Sequence, residues 1–560
     1  MMSSILSSVS SSVSGSTTVQ EDVLRWILCG SRRHRTVTLH TVLVVAAATM
    51  PTLAMAQSAC RAVTRQLATL GPRARLGELT APGRSDRDVI SDASVCSVAP
   101  GVVTSPSWTL SAIGGQTLRI ALQPTIADGA FLGSVADPRN DGAAWYGRGS
   151  NFFVRTGVSL DLPWFHVVAA PQLWYAQNKS FDVFPSADAS RNSFASPWYA
   201  LPFSVDLPSR FGVKPLTQID VGESAAWGSV GPIDAGVTAS TQRWGPGERG
   251  TLVIGPDAPG IPRVFVRTSR PVQTPIGSFS GEVFAGTLTE SRYFDTADTN
   301  NLRSLTAWNV AWSPGDSSTF IIGIAHGSQR LGTRFGGQRS AQPVRGSANQ
   351  INEVYAQFRD PRTGIRAWGE LGRAGALPTD QNFLRVPYQG IVYLLGAERA
   401  LPSRHGTLLI SFELANLEQP TDIRGGVRQD FYTSSSIPQG WSQRGQLLGY
   451  STGPGSEAQW VATDWISSWW SFGFFGDRVR WNEDALIRQH LANPVRHDVT
   501  IRGGVRGGAV VRGTEIAIEA AIGHRINYLF QNGVFIPGYR TVDLSVPSLR
   551  FSITPAINVR

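Results

Sequence analysis

Apolar and polar residues alternate along much of the chain after residue 105. The pattern is clearest in 154–162, 406–414 and 515–525. In the last of these segments, Ile516 and Ile518 fall on one side and Glu519 on the other. Because successive side chains of a strand point to opposite faces of a sheet, each segment predicts a strand with one apolar and one polar face.

Strand length and connections favour a transmembrane barrel over a soluble sandwich, although alternation alone fits both. Strands of about 9–11 residues, with tight turns at one end and long loops at the other, are typical of outer-membrane barrels. Aromatic pairs such as Trp164-Phe165 and Trp469-Trp470 recur near predicted strand ends, where girdle residues lie. We therefore predict that residues 106–560 form an all-β, antiparallel transmembrane barrel of about 16–18 strands.

The first 56 residues are typical of an export signal with a Ser-rich prefix. A basic stretch at 32–35 precedes an apolar run from Thr41, and the segment ends in Ala54-Met55-Ala56. This order predicts a secretory signal peptide cleaved after Ala56. A membrane anchor is the alternative, which the shortness of the run disfavours. The prefix suggests that translation starts later than residue 1.

Residues 57–105 predict a short helical cap before the barrel, on its periplasmic side. Cys60, Val63, Leu67 and Leu70 follow one another at steps of three, four and three, which is one face of a helix. After signal cleavage Cys60 and Cys96 are the remaining cysteines, and in an oxidising compartment they predict a disulfide. A pair of free thiols is the alternative.

Composition narrows the class of protein further. The chain has 58 Gly, 34 Pro and 9% aromatic residues, which suits a turn-rich β protein and argues against disorder. No apolar run beyond the signal approaches the ~20 residues of a spanning helix. The net charge is +9, and the basic residues are almost all Arg.

One predicted external loop is basic. The segment 325–352 contains no acidic residue and carries Arg330, Arg334, Arg339 and Arg345. Arginines attract an acidic polymer at long range and pair with its carboxylates in a planar geometry. The loop therefore predicts binding of an acidic polysaccharide, while contact with lipopolysaccharide phosphates is an alternative. Nucleic acid is not expected as a partner of an exported chain.

Two further sets of residues are candidates for contact with a sugar chain. Taken as one strand, 465–475 places Trp465 and Trp469 in the lumen about 13 Å apart, a spacing that suits stacking on sugars. The alternative is that both rings pack against a plug. Arg502 and Arg506 also alternate onto the lumen face, where they can bind the chain or form internal ion pairs.

No motif indicates catalysis. The nucleophile elbow, the zinc-protease helix motif, the P-loop and the dinucleotide fingerprint do not occur. The cysteines are too few, and the histidines too scattered, to predict a metal site. We expect no catalytic residue, no cofactor and no metal.

Three Gly-rich segments resemble the Wzi-type capsule assembly outer-membrane protein family. They are Gln-Arg-Trp-Gly-Pro-Gly at 242–247, Gly-Glu-Leu-Gly-Arg at 369–373 and Arg-Gly at 444–445 followed by Gly-Pro-Gly-Ser at 453–456. The resemblance implies an eighteen-stranded, occluded barrel that acts as a lectin for capsular polysaccharide. Arg243 and Trp244 then either anchor a tight turn or face the ligand.

These observations predict an outer-membrane protein of a Gram-negative-type bacterium that binds capsular or other acidic surface polysaccharide. Its neighbours in the membrane are lipid and lipopolysaccharide. The alternative function is that of a general porin or solute channel, which uses the same mixed-sign lumen without a plug.

Overall fold

The structure is a computed structural model of the 560-residue chain. It describes residues 90–92, 107–111, 117–184, 190–199, 203–297, 301–315, 319–332, 349–375, 390–419, 430–488, 497–530 and 542–555, together with Pro72, Arg75, Leu76 and Leu79. The predicted export signal, both cysteines of the predicted disulfide and most of the predicted cap lie outside these residues.

Within this part of the chain, eighteen antiparallel strands form a closed barrel, which confirms the predicted all-β barrel. Each strand pairs with the next along the chain, and β18 closes the barrel on β1 through the pair Phe551↔Gly129. The strands are β1 (Thr117–Leu132), β2 (Gly149–Asp161), β3 (Phe165–Ala169 and Gln172–Ala176), β4 (Leu216–Asp220 and Ala225–Val230), β5 (Ile233–Thr238), β6 (Arg263–Thr268 and Val272–Thr274), β7 (Gly277–Thr289), β8 (Leu302–Ser313), β9 (Phe320–Leu331), β10 (Asn349–Asp360), β11 (Ile365–Ala374), β12 (Ile391–Ser403), β13 (Gly406–Asn416), β14 (Glu457–Ile466), β15 (Trp470–Trp481), β16 (Asp498–Val511), β17 (Thr514–Ile526) and β18 (Leu544–Ser545 and Ser548–Thr554).

Few other elements occur among the described residues. Ser107–Ser111 pairs with the start of β1, and Ile90–Asp92 pairs with Gln242–Trp244. Two short hairpins are formed by Asp137–Asp141 with Ala144–Tyr146 and by Ser442–Gln443 with Gln446–Leu447. The described elements include one α-helix, α1 (Glu483–Arg488), and a 3₁₀ turn at Tyr528–Phe530.

The two ends of the barrel differ in their connections. At one end strands are joined by tight turns, such as the two residues between β16 and β17, where Arg512 and Gly513 have φ of 51° and 79°. At the other end the connections are long, as at 133–148, 239–262 and 417–456. In outer-membrane barrels the long loops face outwards and the short turns face the periplasm.

The alternation of side chains separates a lipid face from a lumen face, as the sequence predicts. On β17, Ile516, Ile518 and Ile522 are exposed on the outside, whereas Glu515 and Glu519 are buried inside. Charged groups inside and aliphatic groups outside are what a bilayer-facing wall requires. Among the described residues, no helix has the length and apolar character needed to cross a bilayer.

In one sector of the wall, β4 to β6, the strands are short or broken, and it is called the interrupted sector. Strands β7 to β17 are continuous over 10 to 14 residues. By contrast, β5 has 6 residues, and the first segment of β6 also has 6. The 239–262 segment, which connects these two short strands at the long-loop end, turns into the lumen instead of extending the wall.

Candidate functional site

Among the described residues, two long connections enter the lumen, 239–262 and 430–456, and together they are called the plug. The short strand Ile90–Asp92 joins them by pairing with Gln242–Trp244. Their side chains are almost all buried, including the fully buried Trp244 and Trp441. The two segments hold each other: the Tyr432 hydroxyl donates to the Leu252 carbonyl at 2.8 Å, and Trp441 Nε1 donates to the Val253 carbonyl at 2.7 Å. Plug residues pack with inward-facing residues of the wall in the largest apolar cluster of the described chain.

Two wall carboxylates anchor the plug through its backbone. Glu370 of β11 accepts the N–H groups of Gly247 at 2.7 Å and Leu252 at 2.9 Å. Glu413 of β13 accepts the N–H of Arg249 at 2.9 Å and also that of Glu248. These bonds give partners both to the buried carboxylates and to the backbone donors of the irregular stretch 247–252.

The Trp-Gly-Pro-Gly segment is the part of the plug that turns over Glu370. Gly245 has φ +110°, and a Cβ there would lie 2.5 Å from Glu370 Oε1, so a larger residue would be strained both by its backbone conformation and by this contact. Trp244 donates its N–H to the Ile254 carbonyl at 2.9 Å and packs on Phe284 with ring centroids 5.4 Å apart. Arg243 is also buried. Of the two predicted roles for Arg243 and Trp244, this geometry corresponds to anchoring.

The predicted lumen arginines face inwards, as their alternation indicates, and they pair with wall acids. Arg502 Nη2 lies 2.8 Å from Asp477 Oδ2, and its Nη1 lies 3.4 Å from Asp137 Oδ2. Arg506 donates from Nε to Asp464 Oδ1 at 2.7 Å. Internal ion pairing therefore accounts for both guanidinium groups, and neither reaches the outer surface.

The predicted lumen position of the two tryptophans is wrong. β14 ends at Ile466 and β15 begins at Trp470. The turn between them reverses which residues, the odd-numbered or the even-numbered, face the lumen. Trp465 pairs with the lipid-facing Phe472 on the outer surface, and Trp469 lies in the turn with 58% of its side chain exposed. Both rings therefore lie at the short-turn end, where aromatic residues form an interfacial girdle.

The basic loop is described only at its start. Arg330 lies near the end of β9, exposed at the long-loop end of the barrel. Arg334, Arg339 and Arg345 lie outside the described residues, so their role stays a prediction.

A cluster of charges lies where the 133–148 connection meets inward-facing residues of β16 and β18. Asp137 is contacted by Arg139 at 2.7 Å, by Arg550 at 2.9 Å and by Arg502 at 3.4 Å. Burial acts to raise the pKa of Asp137, but the three guanidinium groups outweigh it and hold that pKa well below its usual range. The adjacent cavity measures about 80 Å³, which is room for a few water molecules but not for a sugar.

The larger cavity lies in the interrupted sector. It measures about 800 Å³ and is lined by Leu216–Ile219, by residues of 290–297 with Asn301, and by Arg444 at the tip of the 442–447 hairpin. Polar and charged groups dominate its lining, as expected of a site that takes a polar ligand.

Sequence reasoning did not single out Glu370, Glu413 or Arg444 for a role. Each carried a weak signal: Glu370 and Arg444 stand inside the Gly-rich segments quoted above, and Glu413 alternates onto the polar face of 406–414. Their roles depend on which plug amide or strand edge lies opposite, and that pairing is invisible in a single sequence. Within the described residues no group of His, Cys, Asp and Glu is placed to hold a metal ion.

The closed antiparallel wall and its polar lumen define the fold of outer-membrane β-barrel proteins, and comparison with solved structures agrees. The structure of Wzi, described as an outer-membrane protein involved in group 1 capsule assembly in Escherichia coli and as a carbohydrate-binding β-barrel, is similar over 78% of this chain and 85% of that one, with 11% identity and a TM-score of 0.51. OccK2 of Pseudomonas aeruginosa covers 78% of this chain and 97% of its own, with 7% identity and a TM-score of 0.39. OccAB2 of Acinetobacter baumannii covers 78% and 96%, with 9% identity and a TM-score of 0.38.

No protein-family model and no curated protein matches the sequence. At these identities the structural similarity establishes the barrel fold.

Proposed function

We propose that this protein is a non-enzymatic lectin of the Wzi type that binds surface polysaccharide at the long-loop end of an outer-membrane barrel. The observation that carries the proposal is the plug, whose backbone is bonded to the wall through Glu370 and Glu413. A lumen filled in this way leaves the external loops, rather than a conducting path, as the surface on which a ligand acts.

The similarity to Wzi supports this function, because that protein is a carbohydrate-binding barrel with the same fold. The basic loop supplies the chemistry for an acidic chain. Arg330 is exposed at the correct end, and Arg334, Arg339 and Arg345 follow it within a segment free of acidic residues. Their guanidinium groups pair with carboxylates of a capsular polysaccharide, and this attraction weakens as salt screens it.

Co-sedimentation of the purified full chain with acidic capsular polysaccharide, across a salt series, tests the proposal. Replacing Arg330, Arg334, Arg339 and Arg345 with Gln should weaken binding at low salt and flatten the salt dependence. Arg404→Gln, in the short turn between β12 and β13 at the opposite end, is the matched control and should bind like the wild type. Equal binding by all three proteins would exclude the basic loop as the ligand surface.

Conductance across a planar bilayer separates the lectin from the general porin. A plugged barrel should give no large, steady single-channel currents, whereas such currents from the wild-type protein would contradict the proposal and support a solute channel.

We also propose that the chain is exported, cleaved after Ala56 and closed by a disulfide between Cys60 and Cys96 in a cap at the periplasmic end. Leu79 supports a position at that end for the start of the cap, since it packs on Ala400, Leu409 and Ile466 near the short turns. The later residues Ile90–Asp92 pair instead with Gln242–Trp244 of the plug, so this part of 57–105 lies in the lumen. The amino-terminal sequence of the mature protein tests the cleavage site. Reaction of the unreduced protein with two equivalents of a thiol reagent would exclude the disulfide.

A further inference from the structure

Among the described residues, the interruption of the wall leaves one strand edge without a ladder partner. The first segment of β4, Leu216–Asp220, pairs on one side with Gln172–Ala176 of β3. On its other side no ladder partner occurs among the described residues, because β5 ends at Thr238 and the chain then enters the lumen. On the other side of the gap, β7 continues past the point where β6 begins. Its residues 287–289 therefore form no ladder with β6.

The tip of a plug hairpin spans this gap. Gln443 Oε1 accepts the N–H of Thr289 at 2.7 Å, and the N–H of Arg444 donates to the Thr289 carbonyl at 2.8 Å. From the same residue, Arg444 Nη2 donates to Asp220 Oδ2 at 2.6 Å. Arg444 and Gly445 both have positive φ, 49° and 81°, which is the tight-turn geometry that brings the side chain to the hairpin tip. One arginine therefore links the two edges of the gap.

The cavity of about 800 Å³ passes around the free edge of β4. Its lining includes Leu216 and Gln218, whose register partners on β3 are the buried Ala176 and Trp174. It also includes Thr217 and Ile219 from the opposite face of the same strand. The other side of the cavity is lined by residues beyond the end of β7, including Glu290 and Arg292, so the cavity lies in the gap between the two strand edges and opens laterally.

The opening lies at the depth of an aromatic belt. Thr217 pairs with Tyr175, which stacks against Phe152 with ring centroids 6.4 Å apart. Phe152 in turn meets Phe551 edge to face at 6.5 Å. Belts of this kind mark the level of the lipid head groups. Ile219, next to the opening, is 79% exposed on the outer face, where acyl chains lie.

The cavity lining supplies cations and hydrogen-bonding groups at this depth. Arg292 and Arg444 line it, and Asn301 Oδ1 has no hydrogen-bond partner among the described residues. Two acids also line it: Glu290, whose pKa burial raises and which accepts a bond from Gln439 Nε2, and Asp295, which accepts the N–H of Ala297 at 2.8 Å. Because Arg444 Nη2 is already bonded to Asp220, the cationic groups left to meet an incoming anion are the remaining N–H donors of Arg444 and the guanidinium of Arg292.

We propose that this cavity is a lateral binding site for the phosphorylated sugar head group of an outer-leaflet glycolipid. The phosphate pairs with Arg292 and Arg444, the sugar occupies the polar interior, and the acyl chains lie along the outer face beside Ile219. A glycolipid is favoured over a soluble chain because the opening is in the wall at head-group depth, bordered by apolar surface. This proposal does not depend on the polysaccharide-binding function.

Native mass spectrometry of the full chain in detergent, titrated with lipid A, tests the site. The double variant Arg292→Gln, Arg444→Gln should bind lipid A about tenfold more weakly, because it loses two charge-assisted contacts. Gln218→Trp, which fills the cavity and keeps both arginines, should weaken binding as well. Arg404→Gln, at the opposite end of the barrel, should bind like the wild type. Lipid A with its phosphates removed should bind the wild type and the double variant equally weakly.

Four results would overturn the proposal. The first is equal binding of lipid A by the wild type, the double variant and Gln218→Trp. The second is equal affinity of the wild type for phosphorylated and dephosphorylated lipid A. The third is binding of glucose 6-phosphate as tight as that of lipid A, which would identify a site for soluble anions. Loss of polysaccharide co-sedimentation in the double variant, with lipid A binding intact, would also overturn it and assign the cavity to the polysaccharide.

Discussion

The continuous sector of this barrel (β7 to β17) and the interrupted sector (β4 to β6) differ in how their strand edges are paired and in how they hold the plug. In β7 to β17 every strand has a neighbour on both sides, and the wall meets the plug through side-chain carboxylates such as Glu370 and Glu413. In β4 to β6 the chain leaves the wall and becomes part of the plug. The strand edges that it leaves are joined by a hairpin tip, through Arg444.

The difference teaches that the 239–262 segment of the plug and the gap in the wall have one origin. The residues between Thr238 and Arg263 would otherwise extend β5 and β6 to the height of their neighbours. Because they turn inwards instead, their backbone groups need buried partners in the lumen, and the wall beside β4 remains open to a cavity. The contribution of 239–262 to the plug and the lateral opening beside β4 are thus two results of a single change in chain path.

The largest effect is expected from removing a plug anchor in the continuous sector. Glu370→Ala leaves the N–H groups of Gly247 and Leu252 buried without an acceptor, which should lower the free energy of unfolding by about 2–5 kcal/mol. Denaturant unfolding measures the loss, and single-channel currents should appear if the plug loosens. Glu457→Ala, a partly exposed ion-pair residue at the start of β14, is the control and should change stability little. Equal stability of the two variants would contradict the anchoring role.

A smaller effect is expected where the plug turns over that anchor. Gly245→Ala introduces a Cβ that conflicts with Glu370 Oε1, and it places a residue with a side chain at a positive φ. The substitution should lower the free energy of unfolding by about 2–3 kcal/mol. Gly315→Ala isolates the conformational part, since Gly315 has φ +71° and nothing within 4 Å of the added atom. It should cost about 1 kcal/mol. Unfolding midpoints of the two variants give the comparison, and identical losses would show that the contact with Glu370 does not matter.

The interrupted sector should respond to pH through a buried carboxyl in its loops. Burial raises the pKa of Asp206 to about 6, although the N–H and hydroxyl of Ser291 donate to it at 2.7 Å and 2.6 Å and act to lower that pKa. The pKa of Asp206 in the folded protein lies above the ordinary value of 3.8, so its protonated carboxyl stabilises the fold. This stabilisation is complete below about pH 4 and is lost as pH rises through 6.

Asp206→Asn should therefore flatten the pH profile of unfolding between pH 4 and 7. Burial also raises the pKa of the nearby Glu290, so Glu290→Gln measures its share of the same trend. A profile that is unchanged in Asp206→Asn would show that this carboxyl does not control the stability of the sector.

The smallest effect is expected from the outer-face tryptophans. Trp465→Ala with Trp469→Ala should lower stability by about 1 kcal/mol or less, since both rings are partly exposed at the short-turn end. Polysaccharide co-sedimentation should stay at the wild-type level at every salt concentration. A loss of polysaccharide binding in this variant, with the barrel intact, would place the sugar site at the short-turn end of the barrel. That result would contradict binding at the basic loop, which lies at the opposite end.

The path from sequence to structure succeeded wherever one strand could be followed without a break. The alternation in 515–525 predicted the outward isoleucines and the inward glutamates of β17, and the alternation at Arg502 and Arg506 predicted their inward direction. It failed at Trp465 because a three-residue turn lies inside the stretch taken as one strand. A turn resets the parity, and the Trp-rich sequence around it carries no Gly or Pro to mark the break.

The sequence by itself determined the class of fold, because a period of two is imposed by strand geometry and needs no knowledge of the partner strand. It also marked the Gly-rich segments that must adopt unusual backbone angles, such as Gly245. Only the tertiary structure decided that 239–262 fills the lumen, that Glu370 lies beneath Gly247, and that Arg444 reaches Asp220. Those contacts join residues more than a hundred positions apart, and their energies depend on burial and approach, which no local pattern encodes.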